Sequence, residues 1–468
     1  MRFSTLTTAE RYLPQRLALR GKPLFDRVDQ LLFASDERGA AGRMSLIAFA
    51  IRILSAVIAF VSQVLMARWI GSFEYGIFVL VWTTVIIVGN LSCLGFHTSV
   101  IRYLPEYRER GMLDELRGIL VTSRIFVMVS SSLIALTGGL GVWLFADRFE
   151  NYYVVPFYLA LICMPMIALG DTLQGIARAN SWAIAALSPT YLIRPLLILA
   201  LMGALVFSGM EPNAETAMLA AIVATYMTTL YQFAATVNRV ERRVPQGSRR
   251  ILLREWFLVS LPIFLIESFF FLLTNADVLL VGVFMEPNEV AVYFATVKTL
   301  ALVHFVYFSV KAGVAQRYAA YSNGDRAKLA EFARETVSWT FWPSVVMALV
   351  VLALGKPMLS LFGPGFTEGY PLLLPLLLGV VTRAAIGPAE ALLTMSGNQN
   401  VCATVFGATL AVNVGLSIML IPLFGLWGAA VATTISMLFE ALVLVATVRK
   451  RLGITMLIFA APAHKSRR

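Results

Sequence analysis

Residues 65–107 read LMARWIGSFEYGIFVLVWTTVIIVGNLSCLGFHTSVIRYLPEY. Arg68, Gly71, Glu74 and Gly76 crowd a tight turn, and from Tyr75 to Phe96 no residue carries a formal charge. At about 1.5 Å per residue that uncharged run is long enough to cross about 30 Å of hydrocarbon. Arg102, Glu106, Arg108, Glu109 and Arg110 then arrive together, as charges do where a helix re-enters water. The stretch reads as the end of one membrane helix, a turn, a second full helix and a charged landing. Pro105 predicts a proline-initiated surface helix there, which gives Arg102 to Tyr107 a structural role.

Composition extends this reading to the whole chain. The 468 residues are 59% hydrophobic and 14% charged, with a mean hydropathy of +0.77. A soluble domain carries about a quarter charged residues, so the apolar surplus must face lipid. The pattern predicts an all-α polytopic membrane protein with twelve spans. They fall at 44–68, 75–97, 118–145, 152–171, 182–208, 214–237, 256–284, 290–311, 336–361, 370–395, 400–423 and 426–448. Pro165, Pro195, Pro262 and Pro375 inside spans are no objection, because neighbouring helices satisfy the freed carbonyls. Before the first span, residues 1–43 form a basic arm without the apolar run of a signal peptide. Within it, Pro23 would open an amphipathic helix with Leu24, Phe25, Val28, Leu31 and Leu32 on one face. The apolar tail 453–461 is too short to span and reads as an interfacial anchor.

Charge gives the orientation. Segment 238–255 holds Arg239, Arg242, Arg243, Arg249, Arg250 and Arg254, and 312–335 adds Arg317, Arg326, Lys328 and Arg334. The alternate loops hold little beyond Arg148 and Lys356. The positive-inside rule then places both termini in the cytoplasm. The net charge of +11 reports topology and contact with anionic lipid, and it gives no reason to invoke nucleic acid. Segment 238–255 also divides the chain into a six-helix lobe at 44–237 and another at 256–448, followed by a basic tail at 449–468. Leu65, Glu74 and Phe78 match Leu280, Glu289 and Tyr293 at a constant offset, as a parallel internal repeat would.

ARWIGSFEYGIF, followed one helix later by LGFHTSVIRYLPEY, resembles the first two helices of bacterial polysaccharide-export flippases. The resemblance implies the two-lobed fold shared with multidrug and toxin extrusion antiporters. It implies a substrate that is a polyprenyl-pyrophosphate-linked oligosaccharide, moved from the cytoplasmic to the outer leaflet of the bacterial inner membrane. The products would be exopolysaccharide or lipopolysaccharide, and the partners the lipid bilayer and the polysaccharide polymerase or export machinery. No cofactor is implied. Peptidoglycan-precursor (lipid II) flippases and cation-coupled drug antiporters share the fold and are the neighbouring alternatives.

Charges within spans point to an interior path, since lipid-facing positions do not tolerate them. Arg52 lies about 13 Å into the first span. Arg194 and Arg383 are near the middle of the fifth and tenth, and Lys298 is well inside the eighth. This mainly cationic set would suit an anionic pyrophosphate, which a guanidinium matches in a bidentate manner. Glu267 and Asp277 of the seventh span would serve ion coupling or counter-charge, and Glu390 lies nearer the cytoplasmic end of the tenth. The plain alternative is that the cations pair with these acids and hold helices together. Arg124 is shallow enough to snorkel.

A sugar hydroxyl moved unpaired into hydrocarbon costs several kcal/mol, so an oligosaccharide needs a polar cleft that opens to each side in turn. Two negative charges moving outward gain roughly 4–5 kcal/mol per 100 mV, and proton or sodium exchange is the other available drive. Enzymatic function is not expected. There is no nucleotide-binding glycine loop, catalytic triad or zinc motif, and no long external loop of the kind a membrane glycosyltransferase or polymerase uses. Cys93, Cys163 and Cys402 sit in apolar stretches, and His97, His304 and His464 are far apart, which leaves neither a disulfide framework nor a metal site.

Overall fold

A computed structural model describes residues 37–459 apart from positions 149, 323 and 325. The amphipathic helix expected after Pro23 lies outside the described residues. Among those described, the regular elements are helical, and eleven helices are long and apolar enough to cross a membrane. The chain is a multi-pass membrane protein.

Helix α1 (Glu37–Leu91) contains two crossings, because Gly71 at φ 79° and ψ 168° reverses the chain. The Tyr75 hydroxyl donates to Gln63 Oε1 at 2.8 Å. In an unbroken helix these residues would stand about 18 Å apart. With α1 counted twice, the eleven helices make the twelve expected crossings.

The first half continues through α2 (Phe96–Glu109), α3 (Leu113–Leu144) and α4 (Asn151–Ala179) to α5 (Ala183–Ser188), α6 (Arg194–Phe207) and α7 (Ala214–Glu241). Along α3, Ile125, Val129, Leu133, Leu136, Leu140 and Trp143 recur every three or four residues and are all more than half exposed. Such an apolar stripe is untenable in water and is the expected lipid face. Inward positions are small: Ala217, Ala220, Ala221 and Ala224 of α7 are fully buried, and α7 packs closely on α4.

The second half comprises α8 (Leu253–Leu273), α9 (Ala276–Phe284), α10 (Pro287–Ser322), α11 (Arg326–Ser360), α12 (Leu373–Ala384), α13 (Ala389–Met395), α14 (Gln399–Phe424) and α15 (Leu426–Leu452). Three crossings expected as continuous are interrupted. The fifth carries a π-helical turn at Pro189–Ile193 between α5 and α6. The seventh breaks at Thr274 and Asn275, and the tenth at Ala385–Pro388, where Gly387 has φ 60°. Two further expectations need correction. Pro105 lies inside α2 and does not open it, since the landing helix already begins at Phe96. The tail packs one side against the protein: Ile454 and Met456 are buried, Leu457 and Phe459 are exposed, and the Ile458 N–H donates to the Ala385 carbonyl at 3.0 Å. That bond satisfies an acceptor opened by the break in the tenth crossing.

The halves meet at two levels. At the α1 hairpin, Arg68 donates to the Leu361 and Ser360 carbonyls at 2.7 and 2.8 Å, and Ser72 Oγ to Asn288 Oδ1 at 2.6 Å. Gly76 lies flat on Pro287, where an added Cβ would sit 1.8 Å from the carbonyl oxygen. Towards the opposite end, α8 is a strut between the halves. Its Trp256 Nε1 donates to Tyr107 Oη at 2.8 Å, and Ser260 and Ser99 share a bond at 2.6 Å. Its far end packs Phe270 against Phe406 of α14. The linker before α8 is strapped to α3: Arg117 donates to the Pro245 carbonyl at 2.7 Å, and Arg250 pairs with Glu115 at 3.2 Å.

Candidate functional site

The in-span charges separate into three settings. Arg194 follows the π-helical turn of the fifth crossing and is 7% exposed. Among the described residues no carboxylate lies within ion-pair distance of it, and its buried Nε has no hydrogen-bond partner. Asp171 of α4 is within electrostatic reach but is bonded to Asn90 Nδ2 at 2.9 Å. Gly170 lies alongside: a Cβ there would stand 3.4 Å from Arg194 Nη2, 3.4 Å from Thr229 Oγ1 and 3.9 Å from Gln232 Oε1. Gln232 Oε1, Thr190 Oγ1, Gln174 Oε1 and Thr236 Oγ1 are also buried without partners.

Each orphaned polar group costs about 1–3 kcal/mol if left dry, and an unpaired buried cation costs several kcal/mol more. Arg194, Thr229 and Gln232 thus make a buried, polar, cationic cluster around Gly170 in the first half.

The second half treats its charges differently. Arg383, on α12, is 5% exposed and places Nη2 3.2 Å from Glu440 Oε1 of α15. Its guanidinium also lies over the Tyr307 ring at 5.0 Å. Tyr307 donates to Glu390, and Lys311 Nζ lies 3.0 Å from the other oxygen of that carboxylate. Two cations and two anions thus form one ion-paired cluster, in which Lys311 is partly exposed and Arg383 Nε, like Arg194 Nε, has no hydrogen-bond partner among the described residues. Asp277, in the first turn of α9, accepts from the Val278 N–H at 2.9 Å and from the Tyr293 hydroxyl at 3.1 Å.

Lys298 and Glu267 face open space. Lys298 is exposed although it lies within the eighth crossing, and its ammonium stands 4.6 Å from the centroid of the Phe294 ring. Glu267 is 40% exposed and joins the halves: Thr98 Oγ1 is 3.0 and 2.8 Å from its two oxygens, and His97 Nε2 is 3.2 Å away. Arg52 lies on α1, and its side chain is outside the described residues.

Among the described residues, Arg194 and Lys298 thus have no carboxylate partner at contact distance, whereas Arg383 pairs with Glu440 and is linked to Glu390 through Tyr307. Sequence reasoning missed Asp171, Lys311 and Glu440, although each is a charge inside or at the edge of a span. It also missed the row Thr225, Thr229, Gln232, Thr236. That row was legible, since polar residues spaced by four, three and four mark one face of α7.

A sequence model of polysaccharide biosynthesis proteins matches residues 42–315. No curated relative matches the chain. Among solved structures, it superposes on the inward-facing conformation of a multidrug resistance MATE family transporter of the MOP superfamily. That superposition has a TM-score of 0.69 at 14% identity and covers 87% of this chain and 98% of that one. The lipid II flippase MurJ in an inward closed conformation gives 0.68 at 15% identity, over 86% and 87%. An outward-facing MATE family transporter gives 0.62 at 16% identity, over 91% and 97%. At these identities the likeness is one of fold, and the fold is that of MOP superfamily transporters.

Proposed function

The chain belongs to the polysaccharide biosynthesis protein family, and from that premise we propose that it flips a lipid-diphosphate-linked oligosaccharide from the cytoplasmic to the outer leaflet of the bacterial inner membrane. The observation that carries this reading is Arg194, a buried guanidinium beside Thr229 and Gln232 that has no carboxylate partner at contact distance among the described residues. A diphosphate would supply the missing counter-charge. Lys298, exposed within its crossing, would offer a second cation from the other lobe, and Arg52 a third.

The positive-inside rule puts both termini and the 238–255 linker in the cytoplasm, so the α1 hairpin lies at the outer end. The bonds from Arg68 and Ser72 to the second lobe then close that end, the arrangement of a state that loads from inside. The saccharide would ride in the polar cleft while its lipid tail stays in the bilayer, and the lobes would rock to release it outward. Glu267 and Asp277 are the groups through which an ion could couple to that motion.

The test is a depletion strain carrying variants, with the lipid-linked oligosaccharide assayed on each leaflet. Arg194→Ala should trap it on the inner leaflet while the protein accumulates normally, and Arg194→Lys should retain partial transport. Full transport by Arg52→Ala, Arg194→Ala and Lys298→Ala alike would overturn the reading.

A further inference from the structure

The turn between α4 and α5 presents one aromatic side chain, Trp182, to two cations from another helix. Arg239 and Arg243 stand one turn apart at the end of α7, with their guanidinium carbons 5.7 and 5.1 Å from the centroid of the Trp182 ring. Neither has a carboxylate partner at contact distance among the described residues. By contrast Arg102, Arg110, Arg117 and Arg250, at the same end of the molecule, are all ion-paired. The field of the helix C-terminus does not explain the arrangement, because Arg242 feels it equally and does not lie over the ring.

The turn itself is built and held. Ser181 adopts a left-handed conformation, φ 58°, that a residue with a side chain rarely takes. Arg108 Nη2 donates to Asn180 Oδ1 at 2.7 Å, and the Trp182 N–H donates to the Ala177 carbonyl at 2.9 Å. The indole packs against Ala177, Ala186 and Leu187. Its Nε1–H has no acceptor among the described residues. Two like charges gathered at one ring repel each other, and a bound anion would offset that repulsion.

We propose that Trp182, Arg239 and Arg243 form a binding site for the phosphate of a membrane-lipid headgroup. The guanidinium groups are its fork, the indole N–H an added donor and the indole body an interfacial anchor. The site does not depend on the transport reading and is separate from the Arg194 cluster.

The test uses the full chain purified in detergent and counts bound lipid by native mass spectrometry. One arm titrates phosphatidylglycerol and the other farnesyl diphosphate, so that a phosphodiester and a diphosphate source are told apart. Arg239→Gln with Arg243→Gln should weaken the tightest-bound phosphate lipid at least tenfold. Arg449→Gln with Arg451→Gln, which removes as much charge from the end of α15, should leave it unchanged. Arg239→Lys with Arg243→Lys keeps the charge and loses the planar fork; it should bind at an intermediate level and serves if the glutamine pair misfolds. Unaltered binding in the glutamine pair, equal loss in the α15 control, or no tight binding of either lipid would overturn the proposal.

Discussion

Arg194 and Arg383 are the same side chain buried to the same degree inside the same bundle, and they will respond to removal in opposite ways. Arg383 neutralises Glu440, itself 1% exposed, so Arg383→Ala strands a buried carboxylate. Stranding such a partner costs about 3–5 kcal/mol, which should appear as a large fall in thermal unfolding temperature in detergent. Arg383→Met with Glu440→Leu should recover most of it, because the pair is replaced by packed apolar atoms. Arg194→Ala strands no ion-paired carboxylate among the described residues and should leave the unfolding temperature nearly unchanged. Equal destabilisation by the two single changes would refute this division of roles. The depth of both arginines was legible in the sequence; their difference was not. Pairing is set by which crossing lies alongside, and Glu440 sits in the twelfth span, remote in sequence from Arg383.

At the scale of elements, the interrupted crossings were the hardest to read. Composition reports that a segment is apolar over its length, and a helix broken by one glycine or a π-helical turn has the same composition as a straight one. The tail 453–459 shows the consequence. Taken alone it is an apolar stretch too short to span, which suggests an anchor. Placed beside the break at Ala385–Pro388, it is the segment that supplies the missing donor. Met456 fills the core of the second half and Leu457 points outward, 42% exposed. Met456→Ala should therefore cost about 2–5 kcal/mol, against almost nothing for Leu457→Ala. Thermal unfolding of the two variants side by side decides it; equal small shifts would mean that the tail lies on the surface.

For the molecule as a whole, the all-helical class and the twelve crossings follow from hydropathy, because lipid imposes that pattern directly. The strut α8 does not. Its course from Tyr107 in the first half to Phe406 in the second is fixed by side-chain contacts, of which hydropathy carries no record. The closure at the α1 hairpin, made by the Arg68 and Ser72 bonds, is equally invisible to composition. If the lobes rock, that closure must open in each cycle. Ser72 and Asn288, whose side-chain oxygens lie 2.6 Å apart across it, are the place to hold it shut. The native Cys93, Cys163 and Cys402 are buried, so cysteines introduced at 72 and 288 are the ones a short bis-thiol reagent will reach. Cross-linking Ser72→Cys with Asn288→Cys should abolish transport, whereas either single variant treated with the same reagent should continue to transport. A disulfide-containing linker cleaved by reductant should restore the rate. Opening elsewhere, with this contact intact, would leave the cross-linked protein active and would require a different motion from rocking about the central cleft.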